Sequence, residues 1–173
     1  KQNSIKEMGF FDNLVKSIFG SKSDREYKEM QPLVAQINAE YTKLKSLSND
    51  ELRNKTAEFK NRIAEYLSAI DGEIATIKEN AEREEDIHAK DALYKKADEL
   101  RKERDKQIEE VLKEILPEAF AVVKETAFRF TNNAYLDSTA NELDKALGAK
   151  HANVQIVDGN TARYHNSWLA AGN

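Results

Sequence analysis

Residues 63–81 read IAEYLSAIDGEIATIKENA, and they carry the strongest structural signal in the sequence. Their apolar residues are spaced alternately by four and three positions, which is the a/d pattern of a heptad. The pattern lapses across residues 83–91 and then resumes. We predict an antiparallel helical hairpin over residues 63–115 with its tip near residues 84–91. One continuous helix is the alternative, because the tip contains neither Gly nor Pro. The apolar positions are Ile63, Leu67, Ile70, Ile74, Ile77 and Ala81 before the gap, and Leu93, Ala97, Leu100, Ile108, Val111 and Ile115 after it.

Two capping boxes predict the helices that precede this hairpin. Ser23-Asp-Arg-Glu26 is expected to begin a helix that runs to about Lys45. Pro32 lies inside that stretch and predicts a kink or a break just before it. Ser48-Asn-Asp-Glu51 is expected to open the longest element of the chain.

Two further helices are expected after the hairpin. Pro117 is placed as in the first turn of a new helix over residues 116–131, and this helix should be buried because apolar residues cover most of its surface. Thr139-Ala-Asn-Glu142 is a third capping box, which predicts a short helix ending at Gly148.

The pattern changes near the C-terminus. Residues 154–157 and 161–165 are strand-like and flank Asp158-Gly159-Asn160, which favours a β-hairpin. The predicted fold class is therefore mainly α. It consists of extended helices with a long antiparallel coiled-coil-like hairpin, plus a small β-hairpin near the C-terminus.

Composition argues against most catalytic chemistry in this sequence. The net charge of -4 gives no general attraction to nucleic acid, and the absence of cysteine excludes disulfides, thiolate metal sites and thiolate nucleophiles. No two of the three histidines have the i, i+4 spacing of a helical metal site, and no Gly-x-x-x-x-Gly-Lys-Ser/Thr loop occurs. No apolar run approaches the roughly 20 residues that span a bilayer. We therefore assign no catalytic, cofactor-binding or metal-binding residue.

Residues 8–19 form an amphipathic pattern of a different kind. Apolar side chains recur at helical spacing on one wide face, and Gly20 is expected to end the helix. This face could lie in a membrane interface near anionic headgroups, or it could dock on the core of the protein itself. The residues assigned to membrane contact are Phe10, Phe11, Leu14, Val15, Ile18 and Phe19, with the cations Lys16 and Lys22.

Several stretches resemble the N-terminal part of the SecA family, the ATP-driven motors of bacterial protein export. Leu47-Ser-Asn-Asp-Glu-Leu52 is followed by Lys55-Thr-Ala-Glu-Phe59, and residues 116–129 read LPEAFAVVKETAFR. Met8-Gly-Phe-Phe is similar to a family start. Together the matches cover about a third of the chain in the family's order. Two departures are the long spacer that holds the hairpin and the apparent insertion after residue 131.

The resemblance implies a division of the chain and a set of partners. As an N-terminal SecA segment that stops before the Walker A motif, it should be inactive alone, with ATP and Mg²⁺ bound in the full-length family. The expected partners are the SecYEG channel, which the N-terminal helix would also touch, preproteins, anionic phospholipid and the rest of the SecA chain. A homodimer is possible, and no nucleic acid is expected. The expected location is the cytoplasm, peripherally on the inner membrane. The expected parts are the N-terminal extension and amphipathic helix (1–22), N-terminal helices (23–62), the heptad hairpin insertion (63–115), the buried helix leading to the first nucleotide-binding domain (116–131), and a short helix with a β-hairpin (132–173).

The residues alone leave one other function open. A stand-alone coiled-coil adaptor, with the same membrane-binding helix, would use the hairpin to bind a partner protein.

Overall fold

The computed structural model describes residues 22–167, with side chains from Asp24 onwards. Within this range the chain forms four helices and three strands. Their bounds are α1 Lys22–Leu44, α2 Asn49–Arg83, α3 Ile87–Asn132, β1 Tyr135–Thr139, α4 Glu142–Gly148, β2 Val154–Val157 and β3 Thr161–His165.

The two longest helices, α2 and α3, pack along each other. The Ser48 side chain accepts a hydrogen bond from the Glu51 backbone, and Glu51 accepts one from the Ser48 backbone, so the predicted capping box is present. Three residues join α2 to α3, and Asp86 caps α3 through the Ala89 N–H at 2.7 Å. The chain reverses there, so Arg62 reaches Glu118 at 2.7 Å across the pair. Apolar side chains fill the space between them, centred on Leu67, Ile70 and Ile74 with Ile63, Leu100 and Ile108 against them.

A second core lies where α1 meets the C-terminal half of α3. Leu44, Leu52 and Ala121 are buried together there, with Ile37 and Tyr41 packed against them. The Lys124 ammonium group donates to Asn38 at 2.7 Å and lies 4.4 Å from the centre of the Tyr41 ring. α3 therefore packs against both α1 and α2.

The strands form one antiparallel sheet in the order β1-β3-β2. The turn between β2 and β3 has positive φ at Asp158 (52°) and Gly159 (72°), a conformation that favours Gly at the second position. Helix α4 packs beside β2, and the backbone of Gly148 runs close to Val154.

The predicted fold class is wrong. The expected two-stranded hairpin is part of a three-stranded sheet, because β1 pairs with β3 along its whole length from Tyr135–His165 to Thr139–Thr161. The long helices are also not a separate coiled-coil hairpin. The same α3 that packs on α2 also packs on α1 and contacts β1. The chain is therefore a mixed helix-and-sheet structure in which the sheet is fixed to the helices.

Several helix predictions need correction as well. α1 begins at Lys22 and continues through Pro32 without a break. α3 runs through Pro117, so no new helix starts there, and its 46 residues make it longer than α2. The short helix α4 is capped by Asn141 and Asp144 rather than by Thr139 and Glu142. Finally, the 116–131 part of α3 is not buried all round, because Phe120, Val123 and Phe128 are exposed.

Tertiary packing explains the continuity of α3 through Pro117. A proline inside a helix costs about 3 kcal/mol through the lost hydrogen bond and the clash with the preceding turn. In α3 the residues on either side of Pro117 are held by buried contacts, with Ile115 before it and Ala121 after it. These contacts favour one continuous helix despite the local cost.

Candidate functional site: the junction between the sheet and the long helices

The side chains predicted to touch the membrane lie outside the described residues. This holds for Phe10, Phe11, Leu14, Val15, Lys16, Ile18 and Phe19, whereas Lys22 is the first residue of α1 but has no described side chain. Their role therefore stays a prediction.

The most connected polar site in the described part of the chain lies where the sheet meets α2. Asp144 is fully buried, and its Oδ1 accepts hydrogen bonds from Arg53 Nη2 and from the Tyr164 hydroxyl. Its Oδ2 accepts from the Asn141 N–H at 2.8 Å, which completes the cap of α4. Arg53 also donates through Nη1 to Ser138 Oγ, at 3.1 Å. One carboxylate thus ties α2, α4 and β3 together.

The protonation states of this site follow from its surroundings. Burial acts to raise the pKa of the Asp144 carboxyl, but the hydrogen bonds from Arg53, Tyr164 and Asn141 together outweigh it, and the pKa lies below its usual value. Burial, and then the hydrogen bond to Asp144, raise the pKa of Tyr164 to about 12. At neutral pH the carboxylate is therefore charged and the phenol is a neutral donor.

The first turn of α2 holds the edge of β1. Asp50 accepts from the Thr139 N–H at 2.8 Å and from the Thr139 hydroxyl at 2.6 Å. Asn49 donates to the Asp137 carbonyl at 2.8 Å. Carboxylates near a helix N-terminus are also favoured by the helix dipole. The sheet is therefore fixed in place by the same turn that the Ser48 capping box begins.

Arg129 makes the matching connection from α3. Its Nε donates to Glu125 at 2.8 Å and its Nη1 to Asn49 at 2.8 Å. Its Nη2 donates to the carbonyls of Leu47, at 2.7 Å, and Leu44, at 3.3 Å. The last carbonyls of a helix have no hydrogen-bond partner within the helix. Arg129 supplies a donor to the C-terminal end of α1 and also pairs with the buried carboxylate of Glu125.

A cavity of about 280 Å³ opens between these two arginines. Its wall is largely apolar, with Leu52, Val122 and Leu136 among its lining residues. The guanidinium groups of Arg53 and Arg129 border it, but both already bind protein oxygens. Its volume lies just below the range of about 300–1,000 Å³ that is usual for ligand pockets. We assign no ligand to it.

The geometry of the described residues indicates a structural junction between the helices and the sheet. The charged groups are paired with one another, and no group of three or more His, Asp or Glu side chains between residues 22 and 167 is placed to hold a metal ion. His88, His151 and His165 lie on separate elements, at the start of α3, before β2 and at the end of β3. Among the helices of the described range, none combines the length and apolar character required to cross a membrane.

The residues of this junction were not found by sequence reasoning. Arg129 ends the LPEAFAVVKETAFR stretch, but nothing local shows that it reaches the end of α1. Asp144 has a local signal, because Asn141-x-x-Asp144 is itself a capping box. Arg53 and Tyr164 are joined only by the fold, since 111 positions separate them along the chain.

The chain is similar to SecA proteins along almost its whole length. The family model described as the SecA DEAD-like domain matches residues 15–170. The chain is 41% identical over 165 residues to the protein translocase subunit SecA of Christiangramia forsetii and 42% identical over 165 residues to that of Flavobacterium psychrophilum; each alignment covers 95% of this chain and 15% of the relative. The SecA of Porphyromonas gingivalis is 39% identical over 163 residues, which are 94% of this chain and 14% of that protein. No solved structure gives a significant match.

The family match agrees with the sheet that lies beside the helices. The DEAD-like domain of SecA is an α/β fold, so strands are expected beside the helices in this part of the family. The chain spans only about 15% of the length of the curated relatives that it matches.

Proposed function

Because the chain belongs to the SecA protein translocase family, we propose that it is the N-terminal part of an ATP-driven motor that moves preproteins through the SecYEG channel. The observation that carries this proposal is the similarity of about 40% over 95% of the chain. The match extends through the long helices and the sheet, and so includes the segments that the short motifs did not cover. A stand-alone adaptor would not require such similarity to SecA along its length.

Within that motor we propose two roles for this part. The first is a scaffold, supported by a junction in which Arg129 joins the ends of α1, α2 and α3, and Arg53 joins α2 to the sheet and to α4. Hydrogen-bonded charged networks of this kind, with Asp144 and Glu125 buried, favour one fixed arrangement of the elements. The scaffold would hold the N-terminal helices in a defined orientation relative to the rest of the domain.

The second role is contact with the membrane and the channel through residues 8–19. Its support is the sequence pattern, in which six large apolar side chains share one face and Lys16 and Lys22 lie nearby. Each apolar side chain would contribute up to about 1.5–3 kcal/mol on burial, opposed by the cost of ordering the segment. Binding should therefore be reversible and strengthened by anionic phospholipid. This would place the protein in the cytoplasm, peripherally at the inner membrane.

We further propose that ATP and Mg²⁺ act in the full-length protein and that this chain alone does not hydrolyse ATP. The support is that the 173 residues contain no Gly-x-x-x-x-Gly-Lys-Ser/Thr loop, which is the element that cradles nucleotide phosphates in such motors. Preproteins, the remainder of SecA and a second copy are the other proposed partners.

Vesicle flotation tests the membrane role. Deletion of residues 1–22 should abolish most binding to vesicles that contain phosphatidylglycerol while circular dichroism shows largely unchanged helix content. Lys16→Glu with Lys22→Glu should weaken binding to these vesicles, since each basic residue near an anionic surface contributes about 1 kcal/mol. The matched control is Lys102→Glu with Lys113→Glu, which makes the same charge change on exposed positions of α3. Equal flotation of the deleted and the complete chain would refute the membrane role.

A further inference from the structure

The apolar seam of α1 is covered along only half of its length. Apolar side chains recur on one side of this helix at alternating spacings of three and four positions, which is the a/d pattern of helices that pack in pairs. The C-terminal members of the seam, Ile37, Tyr41 and Leu44, belong to the core shared with α3. The N-terminal members are exposed by 65%, 54% and 43%, and we call them the α1 row: Tyr27, Met30 and Val34.

The α1 row differs from scattered apolar residues on a surface. Single exposed apolar side chains are ordinary, but this row continues a seam whose other half is buried. The same packing geometry is therefore available to a second helix. Such a helix needs an apolar face at helical spacing and a length comparable to residues 22–34, which span about 20 Å.

Residues 8–19 meet both requirements and adjoin α1 in the chain. They carry a wide apolar face and, as a helix, would be about 18 Å long. Only Gly20 and Ser21 separate them from Lys22, the first residue of α1. Loops of two to five residues join the two helices of an antiparallel hairpin, and Gly is common directly after a helix. The chain can therefore reverse at this linker and return along the first half of α1.

The length of the linker also fixes the register. In an antiparallel pair that reverses at the centre of this linker, residues at equal distances on either side of the centre lie opposite each other. Leu14 then lies opposite Tyr27, and Phe11 lies opposite Met30. The apolar positions of the two segments coincide in successive layers, as they do in paired helices with a/d seams.

We propose that residues 8–19 dock antiparallel on the α1 row when no membrane is present, and that an anionic membrane competes with the row for the same apolar face. The docking stands on the seam, the linker and the register. The competition rests on the proposed membrane role of residues 8–19. Since one apolar face cannot be buried in two places, docking lowers the apparent affinity for vesicles in proportion to the fraction of chains that are undocked.

The size of the α1 row favours this occupant over a second copy of the chain. Stable complexes between separate proteins bury about 1,200–2,000 Å² in total, and three side chains on one helix offer only a small part of such an interface. Docking within one polypeptide avoids the translational and rotational cost of association, so a small apolar contact is sufficient there.

The absence of cysteine from the chain allows the docking to be tested by disulfide trapping. Leu14→Cys with Tyr27→Cys places two thiols in one layer of the register, and Phe11→Cys with Met30→Cys tests the next layer. The matched control is Leu14→Cys with Arg25→Cys. Arg25 is exposed on the opposite side of α1, although it is nearer to Leu14 along the chain. The complete 173-residue variants are oxidised mildly, and linked peptides are measured by mass spectrometry.

The two facing pairs should cross-link at least about tenfold faster than the control pair, because a disulfide requires Cβ atoms about 3.5–4.5 Å apart. Vesicles that contain phosphatidylglycerol should slow these cross-links, whereas vesicles of phosphatidylcholine alone should not.

Equal rates for the facing and control pairs without vesicles would overturn the docking and leave the membrane role intact. Cross-links between chains that increase with concentration would assign the α1 row to a second copy and would also overturn the docking. Fast cross-links that phosphatidylglycerol does not slow would overturn the competition. Flotation after deletion of residues 1–22 then shows separately whether the proposed membrane role has failed.

Discussion

Arg129→Ala is expected to be among the most destabilising single substitutions in the described part of the chain. The Arg129 side chain is 12% exposed and that of its partner Glu125 is 5% exposed. The second carboxylate oxygen of Glu125 is buried and has no hydrogen-bond partner among the described residues. Loss of the guanidinium group therefore leaves a buried carboxylate without its cation, and breaking such a pair costs about 3–5 kcal/mol. The carbonyls of Leu44 and Leu47 lose a donor at the same time.

The assay is urea unfolding of the complete chain, followed by circular dichroism. With a slope of about 1–3 kcal/mol per M, the urea midpoint should fall by roughly 1–5 M. Arg62→Ala is the matched control, because it also removes an arginine from a pair but at a site where the arginine is 43% exposed. It should cost less than about 1 kcal/mol. Replacing both Glu125 and Arg129 by Leu should be milder than Arg129→Ala alone, since no unpaired charge remains. Equal losses of unfolding free energy for Arg129→Ala and Arg62→Ala would show that the buried pair is no more important than an exposed one.

Three further predictions concern pH, capping and the proline in α3. The pKa of Asp144 is lowered in the folded chain. The ionised carboxylate therefore contributes fully to the free energy of unfolding above the unfolded-state pKa of about 3.9, and this contribution is lost as the pH falls through the folded-state pKa. Asp144→Asn should therefore lower the unfolding free energy at pH 7 and flatten its decrease in acid; an unchanged acid profile would contradict this. Ser48→Ala should cost about 1 kcal/mol in urea unfolding by removing the cap of α2, whereas Ser46→Ala, outside any helix, should cost much less. Pro117→Ala should raise the thermal midpoint, because proline inside a continuous helix is up to about 3 kcal/mol less favourable than alanine; a lowered midpoint would indicate that a helix begins at Pro117.

The helices could be predicted where the signal is local and periodic. The cap at Ser48 and the apolar row from Leu67 to Ala81 depend on neighbours within one or two turns, and both are observed. Strands β2 and β3 flank a turn whose Asp-Gly pair is typical of hairpins, and they too are observed. In these segments the physical cause of the structure lies within the segment itself.

The predictions are wrong for segments whose structure depends on contacts with distant parts of the chain. Strand β1 contains Asp137 and Ser138, which are poor strand formers, and it is held by β3 and by the first turn of α2. Pro117 predicts a helix start, yet packing on both sides keeps α3 continuous. The apolar surface of residues 116–131 predicts burial, but Phe120, Val123 and Phe128 are exposed.

The junction could not be predicted for the same reason. Arg53, Asp144 and Tyr164 lie on three elements, and only the folded sheet brings them together. A charged residue on a helix reads as part of a solvated face when only its neighbours in sequence are considered. Family membership, by contrast, could be predicted from short motifs, because they recur in order along the chain.

Preprotein translocation by a hybrid SecA tests whether this chain works as the N-terminal part of the motor. Full-length F. psychrophilum SecA, with its corresponding region replaced by this chain, is added to inverted inner-membrane vesicles together with a labelled preprotein. The preprotein should become protected from added protease in an ATP-dependent manner, and deletion of residues 1–22 should reduce this protection. A hybrid that is folded and hydrolyses ATP but moves no preprotein would contradict the claim that this chain is the N-terminal part of such a motor.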